Sequence, residues 1–121
     1  MKKILVVDDD PDIRHLLRSI LEASNFAVDT VCDGQEAVDW FRTSIPDGIM
    51  LDVRMPVMDG LAALALIRHE SAAVRVILMS VSRASDFAEE AQARGASAYL
   101  ASPFDLQELR AVLASAFGAE A

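Results

Sequence analysis

Lysine is almost missing from this chain of 121 residues: Lys2 and Lys3 are the only two, and both sit at the start. Eleven basic side chains face 19 acidic ones, for a net charge of −8. That shortage disfavours direct nucleic-acid binding, because phosphate contacts need clustered Lys and Arg. It equally disfavours an anionic membrane surface. Cysteine occurs once, as Cys32, which excludes an intrachain disulfide and fits a reducing compartment. Long apolar runs are also lacking. The run Ile4–Val7 that follows the two lysines is too short for a signal-peptide core, and no stretch is long enough to span a bilayer. The expected localisation is therefore cytoplasmic. No internal repeat, linker or low-complexity tract divides the chain, and 53% hydrophobic residues suffice for a core. The expectation is a single domain over residues 1–121, with no effector domain in it.

Short apolar runs alternate with amphipathic segments. Ile4-Leu5-Val6-Val7 reads as a strand buried on both faces. Asp10-Pro11 then supplies a helix N-cap and a proline at the first helical position. Ile13, Leu16, Leu17, Ile20 and Leu21 follow at helical spacing, and Asn25 ends that helix. Residues 26–31 alternate like a strand nearer an edge. Asp33-x-x-Glu36 is a capping-box pattern before a helix carrying Ala37, Val38 and Phe41. The second half repeats the scheme: a buried strand over 48–51, a loop over 54–58, a helix capped by Asp59 and ending near Glu70, and a strand over 74–79. An Ala-rich helix over 85–94 is stopped by Gly95. A strand over 98–101 and a final helix capped by Asp105 complete the chain. Five strands alternating with five helices predict an α/β fold, a doubly wound parallel sheet with helices on both faces. In such sheets sites form beyond the carboxyl ends of the strands. Asp8-Asp9-Asp10, Asp52, Ser80 and Ser102-Pro103 all follow strand ends at that edge.

Asp8, Asp9 and Asp52 at one edge would repel each other unless a cation intervenes. An all-oxygen acidic cluster without Cys or His suits a hard divalent ion, Mg²⁺ (or Mn²⁺), which needs only one or two carboxylates plus water and phosphate oxygens. A metal beside a free carboxylate and the Ser80 hydroxyl forms a phosphoryl-transfer arrangement, with the carboxylate as nucleophile. A serine at a strand end also serves simply to satisfy backbone, and that reading stands beside the functional one.

The stretches LVVDDDPDIR, GIMLDVRMPVMDG, VILMS and YLASPFD, in this order, resemble a response-regulator receiver domain from Lys2 to about Phe117. The resemblance implies a flavodoxin-like sheet in strand order 2-1-3-4-5. It implies that Asp52 is the phosphoacceptor, that Asp8 and Asp9 hold Mg²⁺, and that the Arg54 backbone carbonyl is a further metal ligand. Ser80 matches the hydroxyl that turns toward the phosphoryl group, Tyr99 the switch aromatic, and Pro103 the proline after the family's lysine. The implied donor is a histidine kinase or phosphotransfer protein. The implied output runs to a downstream protein target through the helix over 85–94, the strand over 98–101 and the final helix, a surface that also admits a homodimer.

Two positions depart from the family pattern. Ser102 stands where the lysine is expected, and Val81 where a small residue is usual. Arg54 and Arg83 are the candidate replacement cations. The departure at Ser102 keeps a second reading open, a receiver-fold protein-binding module with weak or no phosphorylation. A third, a small phosphatase of the haloacid-dehalogenase kind, fits poorly, since Asp12 replaces the needed Thr and no later lysine exists. The chain is expected to be a phosphoacceptor and not an enzyme. His15 and His69 fall on polar helix faces, Cys32 reads as strand-end packing, and Trp40 as edge packing.

Overall fold

In the computed structural model, residues 1–53, 60–80, 89, 91–101 and 103–117 are described. Five strands form one parallel sheet: β1 (Lys3–Val7), β2 (Ala27–Val31), β3 (Gly48–Asp52), β4 (Arg75–Ser80) and β5 (Ala98–Ala101), in the order β2-β1-β3-β4-β5. The expected order is thereby realised, with β2 at an edge as its alternating sequence suggested. Four helices are described in full, α1 (Pro11–Ala23), α2 (Gly34–Thr43), α3 (Gly60–Glu70) and α4 (Leu106–Phe117). Residues 89 and 91–93 are helical and belong to the segment expected over 85–94. The Asp59 cap and the loop over 54–58 lie outside the described residues.

The sheet separates two apolar layers. Leu5, Val7, Ile49, Leu51, Val76 and Leu78 face α2, α3 and Ala91 on one side. Ile4, Val6, Met50, Ile77, Met79 and Leu100 face α1 and α4 on the other. Alternate residues of β1, β3 and β4 thus serve opposite cores, which is why these strands read as unbroken apolar runs. The layers close tightly at the amino-terminal edge. A Cβ built on Gly48 would lie 2.1 Å from the Phe117 ring, which itself packs on Phe26 at a centroid distance of 5.5 Å. Among the described residues no helix is long and apolar enough to cross a membrane.

The caps follow the sequence. Asp10 Oδ1 accepts from the Asp12 N–H at 2.9 Å, Asp33 Oδ1 from Glu36 N–H at 2.8 Å, and Asp105 Oδ1 from Glu108 N–H at 2.8 Å. The second cap is not a full capping box. The Glu36 carboxylate accepts from the Cys32 N–H at 3.4 Å instead of returning to Asp33. Asn25, at φ 69°, ends α1 in a left-handed turn.

One expectation is corrected. Leu16 is 52% exposed: Leu17 and Leu21 fill the core, and Leu16 falls one position round the helix, outside the stripe. Cys32 lies at the strand end, just past β2, half-buried, with its thiol donating to Glu36 Oε2 at 2.8 Å.

Candidate phosphoacceptor site

Parallel register brings the acids together. Val7 pairs with Leu51, so Asp8 and Asp52 are the next residues on neighbouring strands. Asp52 lies opposite Met79, one step before Ser80. The Val53 N–H donates to the Met79 carbonyl at 2.9 Å, carrying the β3–β4 ladder past Asp52. Ser80 in turn pairs with Ala101 of β5. Asp8, Asp52 and Ser80 therefore end adjacent strands at one edge, as the run-ends in the sequence indicate.

Carboxylate oxygens of Asp8, Asp9 and Asp52 lie within 4.8 Å of one another. Asp8 is buried, Asp9 exposed and Asp52 half-buried. Burial pushes the Asp8 carboxyl up to about 6. The Asp10 N–H, donating to Asp8 Oδ1 at 2.9 Å, pulls it back, and the charges of Asp52, Asp9 and Asp10 raise it further. A small, all-oxygen donor set with one carboxyl lifted by burial and like charge fits a hard divalent cation. Ser80 is 6% exposed at the same edge. Tyr99 is half-buried in β5, packed against the core layer that faces α3.

Both lysines are elsewhere. The Lys3 ammonium lies 2.9 Å from Asp29 Oδ2 and 5.3 Å from the Trp40 ring centroid, and Lys2 lines a polar cleft with Asp47 and Arg75 at the amino-terminal edge. Arg54, Ser102, Val81 and Arg83 lie outside the described residues. His15 and His69 are exposed. One cation at the acidic edge went unanticipated. Arg14 donates from Nη1 to the Asp8 carbonyl at 2.7 Å. A helical side chain points back toward its helix N-terminus, so an Arg one turn into α1 could have been read as reaching the Asp8–Asp10 turn.

A family model for the response regulator receiver domain matches residues 4–114. The chain belongs to the response regulator receiver domain family. This receiver is 33% identical over 109 residues to sporulation initiation phosphotransferase F of Bacillus subtilis, covering 90% of this chain and 88% of that protein. It superposes on the chemotaxis protein CheY4 of Vibrio cholerae with a TM-score of 0.90 at 29% identity, covering 97% and 99% of the two chains. The receiver domain of sensor histidine kinase PA1611 from Pseudomonas aeruginosa, a structure with magnesium coordinated in its active-site cleft, matches with a TM-score of 0.86 at 30% identity and 98% coverage of each chain. The chain spans 23% to 46% of the length of longer regulatory proteins that it also matches.

Proposed function

We propose that this receiver takes a phosphoryl group from a histidine kinase or phosphotransfer protein onto Asp52, with a divalent cation held by Asp8, Asp9 and Asp52, and acts as a phosphoacceptor in the cytoplasm without turning over a substrate. The observation that carries this reading is the convergence of three carboxylates within 4.8 Å beside Ser80. An Asp52 oxygen attacks phosphorus, the P–N bond to the donor imidazole breaks, and the electron pair leaves with the nitrogen. Asp52 then holds an acyl phosphate. Asp8 and Asp9 supply the donors that let a hard cation sit beside the arriving dianion; when bound, that ion offsets the charge on the phosphoryl oxygens. The Ser80 hydroxyl is the hydrogen-bond donor on the adjoining strand. The arrangement of residues 4–114 in a receiver fold and the magnesium in the PA1611 receiver support this assignment.

Output is proposed to run from Ser80 through Tyr99, on paired strands, to the edge where β5 meets α4. An open groove of about 370 Å³ there is lined by Gln92, Tyr99, Val112 and Ser115, so the aromatic borders solvent-accessible space shared by three elements. A downstream protein, or a second copy of the receiver, is its proposed partner. The test is phosphotransfer from a labelled histidine kinase or phosphotransfer protein, run with Mg²⁺ and with chelator. Label should reach the wild type in Mg²⁺ only, and Asp52→Asn in neither. Label on Asp52→Asn equal to wild type would defeat the assignment.

The second reading, a binding module with weak phosphorylation, is favoured by Ser102 in place of the lysine. It predicts a protein that binds Mg²⁺ and a partner but gains no label from any donor.

A further inference from the structure

Asp8 has a carbonyl that the sheet does not use. Its N–H donates to Val31 O across a long 3.3 Å rung, the last of the β1–β2 ladder, and its Oδ1 is held by the Asp10 N–H. The chain then turns into α1, where the Asp10 carbonyl accepts from the Arg14 N–H at 3.1 Å. Arg14 grips this turn twice: its backbone N–H holds Asp10, and its guanidinium holds the Asp8 carbonyl at 2.7 Å. The guanidinium is half-buried, permanently charged and directed at backbone, not at a carboxylate. Asp8 and Asp9 hang from the segment so clamped, and their oxygens must meet those of Asp52 on a different strand.

We infer that Arg14 is a positioning residue for the divalent-cation site: by fixing the Asp8 carbonyl it sets the angle at which Asp8 and Asp9 present their carboxylates to Asp52. The inference rests on the metal-binding role proposed above for those acids. It assigns Arg14 a scaffolding task, distinct from the charge that a lysine in place of Ser102 would supply. Partners of metal ligands that orient them from behind commonly change metal affinity by about tenfold or more when removed.

The effect of the charge alone has the opposite sign. A guanidinium near the site repels Mg²⁺, so deleting it without loosening the turn would tighten Mg²⁺ binding. Titration calorimetry with Mg²⁺ therefore separates the roles, using wild type, Arg14→Ala, Arg14→Gln and Arg14→Lys. Each is paired with a melting curve in chelator to establish that the fold is intact. The expected result is a Mg²⁺ dissociation constant raised about tenfold in Arg14→Ala, with Arg14→Lys restored to within about threefold of wild type because it still donates to the carbonyl. Arg14→Gln, a neutral donor, should fall between them. An unchanged constant in Arg14→Ala and Arg14→Gln, with only the melting temperature lowered, would overturn the inference and leave a plain structural bond. A tighter constant in either would also overturn it, since only the charge would then matter. If wild type itself fails to bind Mg²⁺, the proposed metal role falls and the inference falls with it. Should Arg14→Ala not fold, the comparison of Arg14→Gln with Arg14→Lys decides.

Discussion

Asp8 shows what the site costs the fold. Its carboxyl titrates near 6 in the folded chain and near 3.8 when exposed. The folded state therefore binds more protons than the unfolded state between those values, and stability falls as pH rises through that window. A shift of this size corresponds to about 2–3 kcal/mol. In chelator, urea unfolding at pH 7 should accordingly give less stability than at pH 4.5. Asp8→Asn keeps an oxygen for the Asp10 N–H, and it should flatten the slope and stabilise the metal-free protein at pH 7. A slope unchanged in Asp8→Asn would show that other groups carry it. Ser102 belongs to the same scale. By the family resemblance a lysine at position 102 would supply a cation to the phosphoacceptor, so Ser102→Lys should speed Asp52 labelling by about tenfold, the worth of roughly 1.4 kcal/mol after desolvation is discounted. Quench-flow labelling with a small acyl phosphate checks it. The acids were legible in the sequence because each follows an apolar run. For Arg14 the sequence offers only reach toward the Asp8–Asp10 turn; that it takes the Asp8 carbonyl is not written in residue type.

Capping and the alternation of strands with helices were open to reading from the residue pattern, and the strand order from the family resemblance. Asp10, Asp33 and Asp105 cap as their positions suggest, and continuous apolar runs became the central strands. What could not be read was contact between elements distant in sequence. Gly48 appears merely to open β3, yet it leaves room for the ring of Phe117 at the end of α4. Gly48→Ala should cost about 1–3 kcal/mol by overpacking. In the Phe117→Ala background the same change should cost much less, and a double-mutant cycle by urea unfolding measures the coupling. Arg68 is a second such contact. From the end of α3 its guanidinium donates to the carbonyls of Val74 and Gly95 and to Ser97 Oγ, which itself accepts from the Val76 N–H at 3.1 Å. It thereby fastens α3 to the starts of β4 and β5. Arg68→Ala should lower stability by about 2 kcal/mol or more, because part-buried carbonyls lose a charged donor.

At the scale of the whole molecule, the two edges of the sheet have opposite characters. The amino-terminal edge is tied by Lys3, Arg68 and Arg75, the last donating to the Ala116 carbonyl at 3.1 Å. The carboxyl edge gathers Asp8 and Asp9, just past β1, with Asp52 of β3, and local bonds hold the turn that carries Asp8. A net charge of −8 with three carboxylates gathered at one edge should make divalent cation a stabiliser of the entire fold. At about a hundred times its dissociation constant, Mg²⁺ adds roughly 2.7 kcal/mol, enough to raise the melting temperature by several degrees. Asp9→Ala should abolish most of that rise. Whether Asp52 accepts a phosphoryl group is decided by intact mass. The wild-type chain and Asp52→Asn are incubated with a small acyl phosphate and Mg²⁺ and weighed. One added phosphoryl group is expected on the wild type, lost in chelator and missing from Asp52→Asn. A wild type that stays unmodified while binding Mg²⁺, or an Asp52→Asn chain that gains the same mass, would contradict it.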